Sequence, residues 1–312
     1  MKPVLERIIL LCILLGTTYY NLKLGLIVCF VIIVIYLQAK PCNTEGFNTE
    51  GFNTENDCNI LKIPEVQVMT TKDYTAIMVE PRKHRALEFV IRNFTENLDE
   101  NWNFMIYHGS DNKQYLENII KKLSADVQSR ITLINLKIPN MNIKQYSTMF
   151  FCPTFYNNIP TETFLIFQTD SMILKENKDN IYDFLKYDYV GAPWPKTMGI
   201  LGKMQVGNGG LSLRKKSKMI ELLKYKNKNT VIQNGKHGKY IAEDQFFCGY
   251  HIPEVDIYKP TFIKAKEFSV ECVFYDKPFG IHKCWDFCNS NNLEISKLYA
   301  MYPDIKKLKD LQ

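Results

Sequence analysis

Apolar and polar positions divide the 312-residue chain into three regimes. From Ile8 to Leu37 only Asn21 and Lys23 interrupt an apolar or weakly polar stretch, a pattern that implies contact with a bilayer. Its two blocks, Ile8–Tyr20 and Leu24–Leu37, are each shorter than a full span of about 20 residues. Either one tilted helix lets Lys23 reach the interface or two short helices form a shallow hairpin. Lys2, Arg7 and Lys23 precede Leu22–Leu37, which favours a single signal-anchor with a cytoplasmic N-terminus. That predicts a single-pass type II membrane protein over residues 1–40, with the rest lumenal or extracytoplasmic. A cleaved signal peptide is the alternative, disfavoured because no small-residue cleavage site follows a compact apolar region.

Residues 41–72 read as a stalk. Asn-Thr-Glu-Gly-Phe occurs at Asn43–Phe47 and again at Asn48–Phe52, with a partial copy from Asn53 to Glu55. So short and polar a repeat cannot build a core, so it spaces the next domain from the membrane.

Residues 73–312 alternate short apolar runs with amphipathic stretches, the pattern of a doubly wound α/β sheet. Strands are predicted at Thr75–Glu80, Asn103–Tyr107, Ile131–Leu136 and Thr163–Phe167. Helices are predicted over Pro81–Leu98 and Leu116–Leu123, and an aromatic-rich one over Tyr146–Tyr156. Open sheets of this kind bind ligands beyond the carboxyl ends of their strands, so the residues after Phe167 are where chemistry is to be sought.

Composition changes this picture little. A hydrophobic share of 46% supports a sizeable core, and the net charge of +6 is spread along the chain. No zinc-finger spacing, RNA-binding strand motif or basic arm accompanies it, so no nucleic-acid partner is expected. The nine cysteines include no Cys-x-x-Cys pair, which argues against structural zinc. Cys42 and Cys58 flank the stalk and would pair in an oxidising lumen or stand as thiols. Asn93-Phe94-Thr95 is an acceptor sequon if the domain is lumenal and the site exposed. Lys, Asn and Ile usage suggests an AT-rich genome such as that of a large virus.

Four segments carry candidate chemistry. Gln168-Thr169-Asp170-Ser171 places Asp170 at a strand end, where a carboxylate serves a ligand or caps a turn. Gly207-Asn208-Gly209-Gly210 precedes an apolar strand and Arg214. Its glycines would allow close backbone approach, available N–H groups and positive φ for an oxygen-rich ligand, or would form a simple turn. Glu243-Asp244 sets adjacent carboxylates before an aromatic run, suited to a general base on a hydroxyl or to the dipole of a helix start. Phe279-Gly280-Ile281-His282-Lys283 offers an imidazole beside a cation, a metal or diphosphate contact or a satisfied polar pair.

In this order the four segments, together with Val79-Glu80-Pro81-Arg82 and Tyr187–Trp194, resemble a family of glycosyltransferase-like proteins defined only as a domain of unknown function and spread through large DNA viruses, fungi and bacteria. The resemblance runs from about Thr75 to Trp285. It implies a GT-A-like fold, a Rossmann-type mixed sheet flanked by helices, that binds a nucleotide-sugar. By that resemblance Glu80 and Arg82 lie near the nucleotide, Gln168 and Asp170 stand in the metal-binding aspartate motif, and Asn208, Gly209 and Gly210 face donor or acceptor. Glu243 or Asp244 is the base, His282 a metal ligand with Asp170, and Lys283 a diphosphate contact. The implied reaction is hexosyl transfer to a hydroxyl on glycan, protein or lipid. The implied cofactor is Mn2+ or Mg2+, weakened because Gln168 puts a neutral amide where the family fold has its first carboxylate. A non-catalytic sugar- or nucleotide-binding membrane protein on the same scaffold is the alternative. A nucleotidyltransferase ranks last, because Glu80-Pro81-Arg82-Lys83-His84 replaces the Gly-rich basic loop it needs.

Overall fold

The apolar runs form strands because both faces of the sheet they build are covered. In β1 (Tyr74–Glu80) Ala76 and Met78 enter one core, Ile77 and Val79 the other, and all are buried. Strands buried on both faces read as continuous apolar runs. The computed structural model describes residues 54–226, 232–235, 238–249, 252–285 and 292–312. The apolar stretch Ile8–Leu37, Cys42 and the first two pentapeptide repeats lie outside the described residues, and no described helix is long and apolar enough to cross a membrane.

The chain enters through α1 (Thr54–Leu61) and β1, then α2 (Leu87–Asn97), β2 (Trp102–His108), α3 (Lys113–Ile120), α4 (Ala125–Ser129) and β3 (Ile131–Asn135). It continues through α5 (Ile143–Met149), α6 (Pro153–Asn157), β4 (Thr163–Phe167), β5 (Ser171–Ile173) and β6 (Tyr189–Gly191). Next come α7 (Gly199–Met204), β7 (Leu211–Lys215), α8 (Lys216–Leu223) and the hairpin β8 (Ile232–Gly235) and β9 (Gly238–Ile241). The last elements are α9 (Glu243–Phe247), α10 (Phe262–Phe268), β10 (Ser269–Val270), β11 (Gly280–His282), α11 (Asn292–Met301) and α12 (Asp304–Asp310).

The central sheet has six strands in the order β3-β2-β1-β4-β7-β6. The first four run parallel, while β7 is antiparallel to both β4 and β6, so the sheet is mixed and parallel-rich. On one face α2 contributes Leu87, Val90, Ile91 and Phe94, joined by Ile305 and Leu308 of α12. On the other lie the aromatics Phe150, Phe155 and Tyr156, with Phe246 and Phe247 of α9. At about 25 cal/mol per Å2 of apolar surface, each such ring contributes on the order of 2–3 kcal/mol.

Several elements differ from the sequence reading for local reasons. The first helix starts at Leu87, not Pro81, because the Asn112 side chain donates to the carbonyls of Glu80 (2.8 Å) and Arg82 (2.9 Å) and holds a turn there. The helix expected over Tyr146–Tyr156 is two. A capping box of Asn142 and Gln145 starts α5, and Cys152, extended ahead of Pro153, breaks the run before α6. Within the region read as stalk, residues 58–68 are packed on the domain. Leu61 and Ile63 are buried, Asn158 bonds Val66 and Pro64, and Cys58 is disulfide-bonded to Cys152 rather than to Cys42. The sequon sits inside α2, where the Asn93 amide exchanges hydrogen bonds with Ile173 (2.9 and 2.8 Å) and Phe94 and Thr95 are buried. A side chain engaged in this way does not present a glycan acceptor.

Candidate functional site

From β1 the chain moves outward to β2 and β3 on one side, whereas β4 lies on the other. The strand order therefore reverses between β1 and β4, and a crevice opens at their carboxyl ends. Register fills it. Met78 pairs with Phe167, so Gln168–Asp170 emerge beside Val79 and Glu80. Leu211 pairs with Phe167 in the antiparallel sense, so the loop Asn208–Gly210 arrives at the same edge. In the small second sheet Ser171 pairs with His282, which brings the imidazole to Asp170, and Val270 pairs with Ile281, which sets Glu271 beside it.

The result is a cavity of about 640 Å3, within the usual range for small-ligand sites. Glu80, Arg82, Gln168, Asp170, Asn208, Gly209, Gly210, Glu243, Asp244 and His282 all line it. Lys283 does not: it takes a positive φ of 45° and its backbone N–H donates to the Asp170 carbonyl (2.9 Å). Its backbone thereby shapes the Asp170 turn, and its charge acts on the Asp170 carboxylate.

Within the cavity the carboxylates differ sharply. Glu243 is tied to Arg214, whose Nη1 and Nη2 donate to its two oxygens at 2.6 and 3.2 Å. Arg214 is fully buried, bonds Ser212 Oγ (2.9 Å) and lies 5.2 and 5.0 Å from the Phe150 and Tyr189 rings. Burial works against its charge, but Glu243 more than offsets it and holds the guanidinium pKa above its ordinary value. With both oxygens engaged, Glu243 is a fixed counter-ion that anchors the start of α9. Among the described residues Asp244 next to it has no cationic partner of that kind; its Oδ1 accepts from the Gln245 N–H (2.8 Å). Burial, and then the negative charge of Glu243, push its carboxyl up to about 7, a value suited to a general base near neutrality.

Opposite in character is the Asp170–His282 pair. His282 Nε2 lies 3.3 Å from Asp170 Oδ1 and His282 Nδ1 lies 3.3 Å from Glu271 Oε1. Neither approach is aligned as a hydrogen bond, and both ring nitrogens and Asp170 Oδ1 are buried without one. Burial alone would raise the Asp170 carboxyl, but His282 and then Lys283 outweigh it and hold it low. Burial likewise opposes a charged His282, and Asp170 and Glu271 overcome this, pushing the imidazole up to about 10. Among the described residues no group of three or more His, Cys, Asp or Glu is arranged to hold an ion. Asp170 Oδ1 and His282 Nε2, unsatisfied and facing each other, nonetheless make a two-point donor set of carboxylate oxygen and imidazole that fits Mn2+ or Mg2+ completed by ligand oxygens.

The glycines act differently from the expectation. Neither Gly209 nor Gly210 has positive φ. Each is required by close approach, since a Cβ on Gly210 would collide with His282 Nε2 and one on Gly209 with Glu243 Oε1. Glu80 and Arg82 form a closed fork, with Nε to Oε1 at 2.8 Å and Nη2 to Oε2 at 2.7 Å, and the Arg82 side chain is 53% exposed at the rim. Among the groups the sequence reading left unassigned are Glu271, behind His282, and Tyr146, on the cavity wall. Glu271 could have been noticed as a carboxylate inside the apolar run Phe268–Phe274. Tyr146, whose hydroxyl is buried beside Gln168 without an aligned partner, was legible only as one aromatic of a helix.

The fold and site define a mixed α/β protein with a polar ligand cavity at the switch point of its sheet. Residues 129–282 match the family model described as "Protein of unknown function (DUF5672)", slightly less than half of the chain. The match includes Gln168, Asp170, Asn208–Gly210, Glu243, Asp244, Glu271 and His282 and leaves Glu80, Arg82 and Lys283 outside. No curated protein matches the sequence. Similar solved structures include the bifunctional glycosyltransferase WbbM, at 9% identity and TM-score 0.46 over 79% of this chain and 53% of its own. The glycosyltransferase GlyE of Streptococcus pneumoniae gives 12% and 0.46 over 77% and 62%. The galactosyltransferase LgtC, solved with donor and acceptor sugar analogues, gives 10% and 0.45 over 76% and 94%. The chain spans less than two thirds of the length of the first two.

Proposed function

We propose that this chain is a glycosyltransferase that moves a hexose from a nucleoside-diphosphate sugar to a hydroxyl of a glycan, protein or lipid. The observation that carries the reading is the division of labour within one cavity: a carboxyl poised near 7 at Asp244, and an unsatisfied carboxylate–imidazole pair at Asp170 and His282. Transfer needs both a group that takes a proton from the acceptor and a place where an anionic leaving group is neutralised.

In an inverting transfer the ionised Asp244 accepts the acceptor's proton as its oxygen attacks the anomeric carbon. The bond from that carbon to the diphosphate breaks, and its electron pair leaves with the diphosphate. Glu243 keeps α9 in place through Arg214 and raises the basicity of its neighbour. Asp170 and His282 would hold Mn2+ or Mg2+, with the Gln168 carbonyl oxygen at the edge of the same turn. When bound, the ion supplies charge neutralisation for the departing diphosphate. Two protein donors alone would hold such an ion weakly, so it is expected to bind together with the nucleotide-sugar. Arg82 at the rim, held by Glu80, is placed to reach the nucleotide.

The apolar segment before residue 40 serves as a type II anchor in this proposal, with the catalytic domain on the lumenal or extracytoplasmic side. The Cys58–Cys152 disulfide is in keeping with an oxidising compartment.

Isothermal titration of the full chain against a panel of nucleotide-sugars, with and without Mn2+, tests the reading. Binding is expected to require both Mn2+ and Asp170, and to be lost in Asp170→Ala. Asp244→Asn is expected to bind donor yet lower transfer by at least about 100-fold. No binding across the panel, or undiminished transfer by Asp244→Asn, sinks the proposal.

A further inference from the structure

Behind the Asp170–His282 pair runs a buried chain of polar groups that the proposed reaction does not use. His282 Nδ1 faces Glu271 Oε1 at 3.3 Å, and the other Glu271 oxygen, Oε2, accepts from Asn208 Nδ2 at 2.8 Å. Asn208 Oδ1 in turn accepts from the Gly210 N–H at 3.1 Å. Glu271, His282 and Asn208 are each no more than 7% exposed. The chain has a defined direction. The Gly210 N–H can only donate, so the Asn208 amide must present its oxygen to Gly210 and its NH2 to Glu271. Glu271 then offers an acceptor oxygen to the ring nitrogen it faces at 3.3 Å, which favours a proton on Nδ1.

We propose that Glu271 is a positioning residue that keeps a proton on His282 Nδ1 and so makes Nε2, which faces Asp170, the nitrogen that a divalent cation takes in place of a proton, with Asn208 and Gly210 setting the polarity of the relay. The inference rests on the assignment of Asp170 and His282 as cation ligands. A carboxylate behind a ligating histidine orients the ring and selects its tautomer, and losing it typically weakens metal binding about 10–100-fold. The same relay explains why position 210 is glycine. The backbone there must supply a donor to Asn208 while passing against the face of the ring that Glu271 holds, and a Cβ has no room.

The relay predicts an unusual result for a nearly isosteric change. In Glu271→Gln the new amide must offer its oxygen to Asn208 Nδ2, which leaves its NH2 facing His282 Nδ1. A donor at that point drives the ring proton to Nε2 and removes the lone pair from the cation side. Adding Asn208→Asp reverses the polarity. The new carboxylate accepts from the introduced amide and from the Gly210 N–H, the amide oxygen turns toward Nδ1, and the tautomer returns.

Two measurements on the full chain test this. Mn2+ titration in the presence of a nucleoside diphosphate is expected to show affinity about 10–100-fold weaker in Glu271→Gln and largely restored in Glu271→Gln/Asn208→Asp. Imidazole 15N NMR of the metal-free proteins is expected to show Nδ1 protonated in the wild type and the double variant and unprotonated in Glu271→Gln. A merely structural role for Glu271 gives no recovery in the double variant, and that result, or a protonated Nδ1 in Glu271→Gln, overturns the proposal. A wild type that binds no Mn2+ while the NMR pattern holds overturns the cation assignment instead and leaves the relay standing.

Discussion

Asp244→Asn separates the activity of the site from its stability. Burial and the adjacent Glu243 raise the Asp244 carboxyl from 3.8 to about 7. At about 1.4 kcal/mol per pKa unit, holding it ionised in the folded chain costs on the order of 4 kcal/mol above pH 7. The folded pKa is higher than the unfolded one, so the associated stability is whole below about pH 4 and is lost as pH rises through about 7. Between pH 5 and pH 8 the wild type should lose about 2–3 kcal/mol through this group alone. Asparagine keeps an oxygen for the Gln245 N–H and carries no charge to desolvate, so the variant escapes the loss. Thermal unfolding of both proteins in matched buffers without ligand reads it out. The variant's advantage in Tm should grow from pH 5 to pH 8 by on the order of 5 °C, while transfer by the wild type should fall as pH drops below about 7. A difference in Tm that is the same at both pH values refutes the reasoning, because a merely steric effect of the substitution does not titrate.

Three further outcomes follow from the same geometry. Glu243→Ala leaves Arg214 buried without its counter-ion and should cost about 3–5 kcal/mol in denaturant unfolding; the double change Arg214→Met/Glu243→Leu should recover most of it, and equal losses in both would contradict the ion-pair account. Gly210→Ala forces the new methyl against the His282 ring, so Mn2+-dependent donor binding should weaken at least about 10-fold with only about 1–3 kcal/mol lost from the fold, measured by titration alongside chemical denaturation. Cys58→Ser opens a link that spans 94 residues and should lower stability by about 2–4 kcal/mol; a reductant should cost the wild type at least as much, because it also opens the disulfide at Cys272, and an unchanged stability in Cys58→Ser would contradict the link.

The strands of the central sheet were legible in the chain because β1, β2 and β4 are continuous apolar runs, and Thr163–Phe167 was readable to the residue. The candidate chemistry was legible where it clusters in sequence: Asp170 after a strand, Asn208 among glycines, Glu243 with Asp244, His282 after Gly280. What each residue does was not. Glu243 and Asp244 are indistinguishable neighbours in sequence, yet Arg214, 29 residues earlier, engages one and leaves the other to burial. The break at Phe150–Cys152 was marked by Pro153, but periodicity carried the predicted helix through it. The Asn93 sequon counted as an acceptor only if exposed, and Ile173, 80 residues away, engages its amide.

The order of local patterns, apolar run against amphipathic stretch, is enough to indicate an α/β architecture and to say that ligand chemistry belongs after Phe167, since strand periodicity and turn residues are properties of neighbouring positions, whereas the antiparallel β7 that makes the sheet mixed was shown by the structure. Only the tertiary structure decided the pairing of His282 with Asp170, the relay through Glu271 and Asn208, and the pairing of Cys58 with Cys152. These depend on register between strands remote in the chain. A one-residue slip of β11 against β5 would turn His282 away from the cavity, and nothing in the local sequence of either strand records which partner the other will meet.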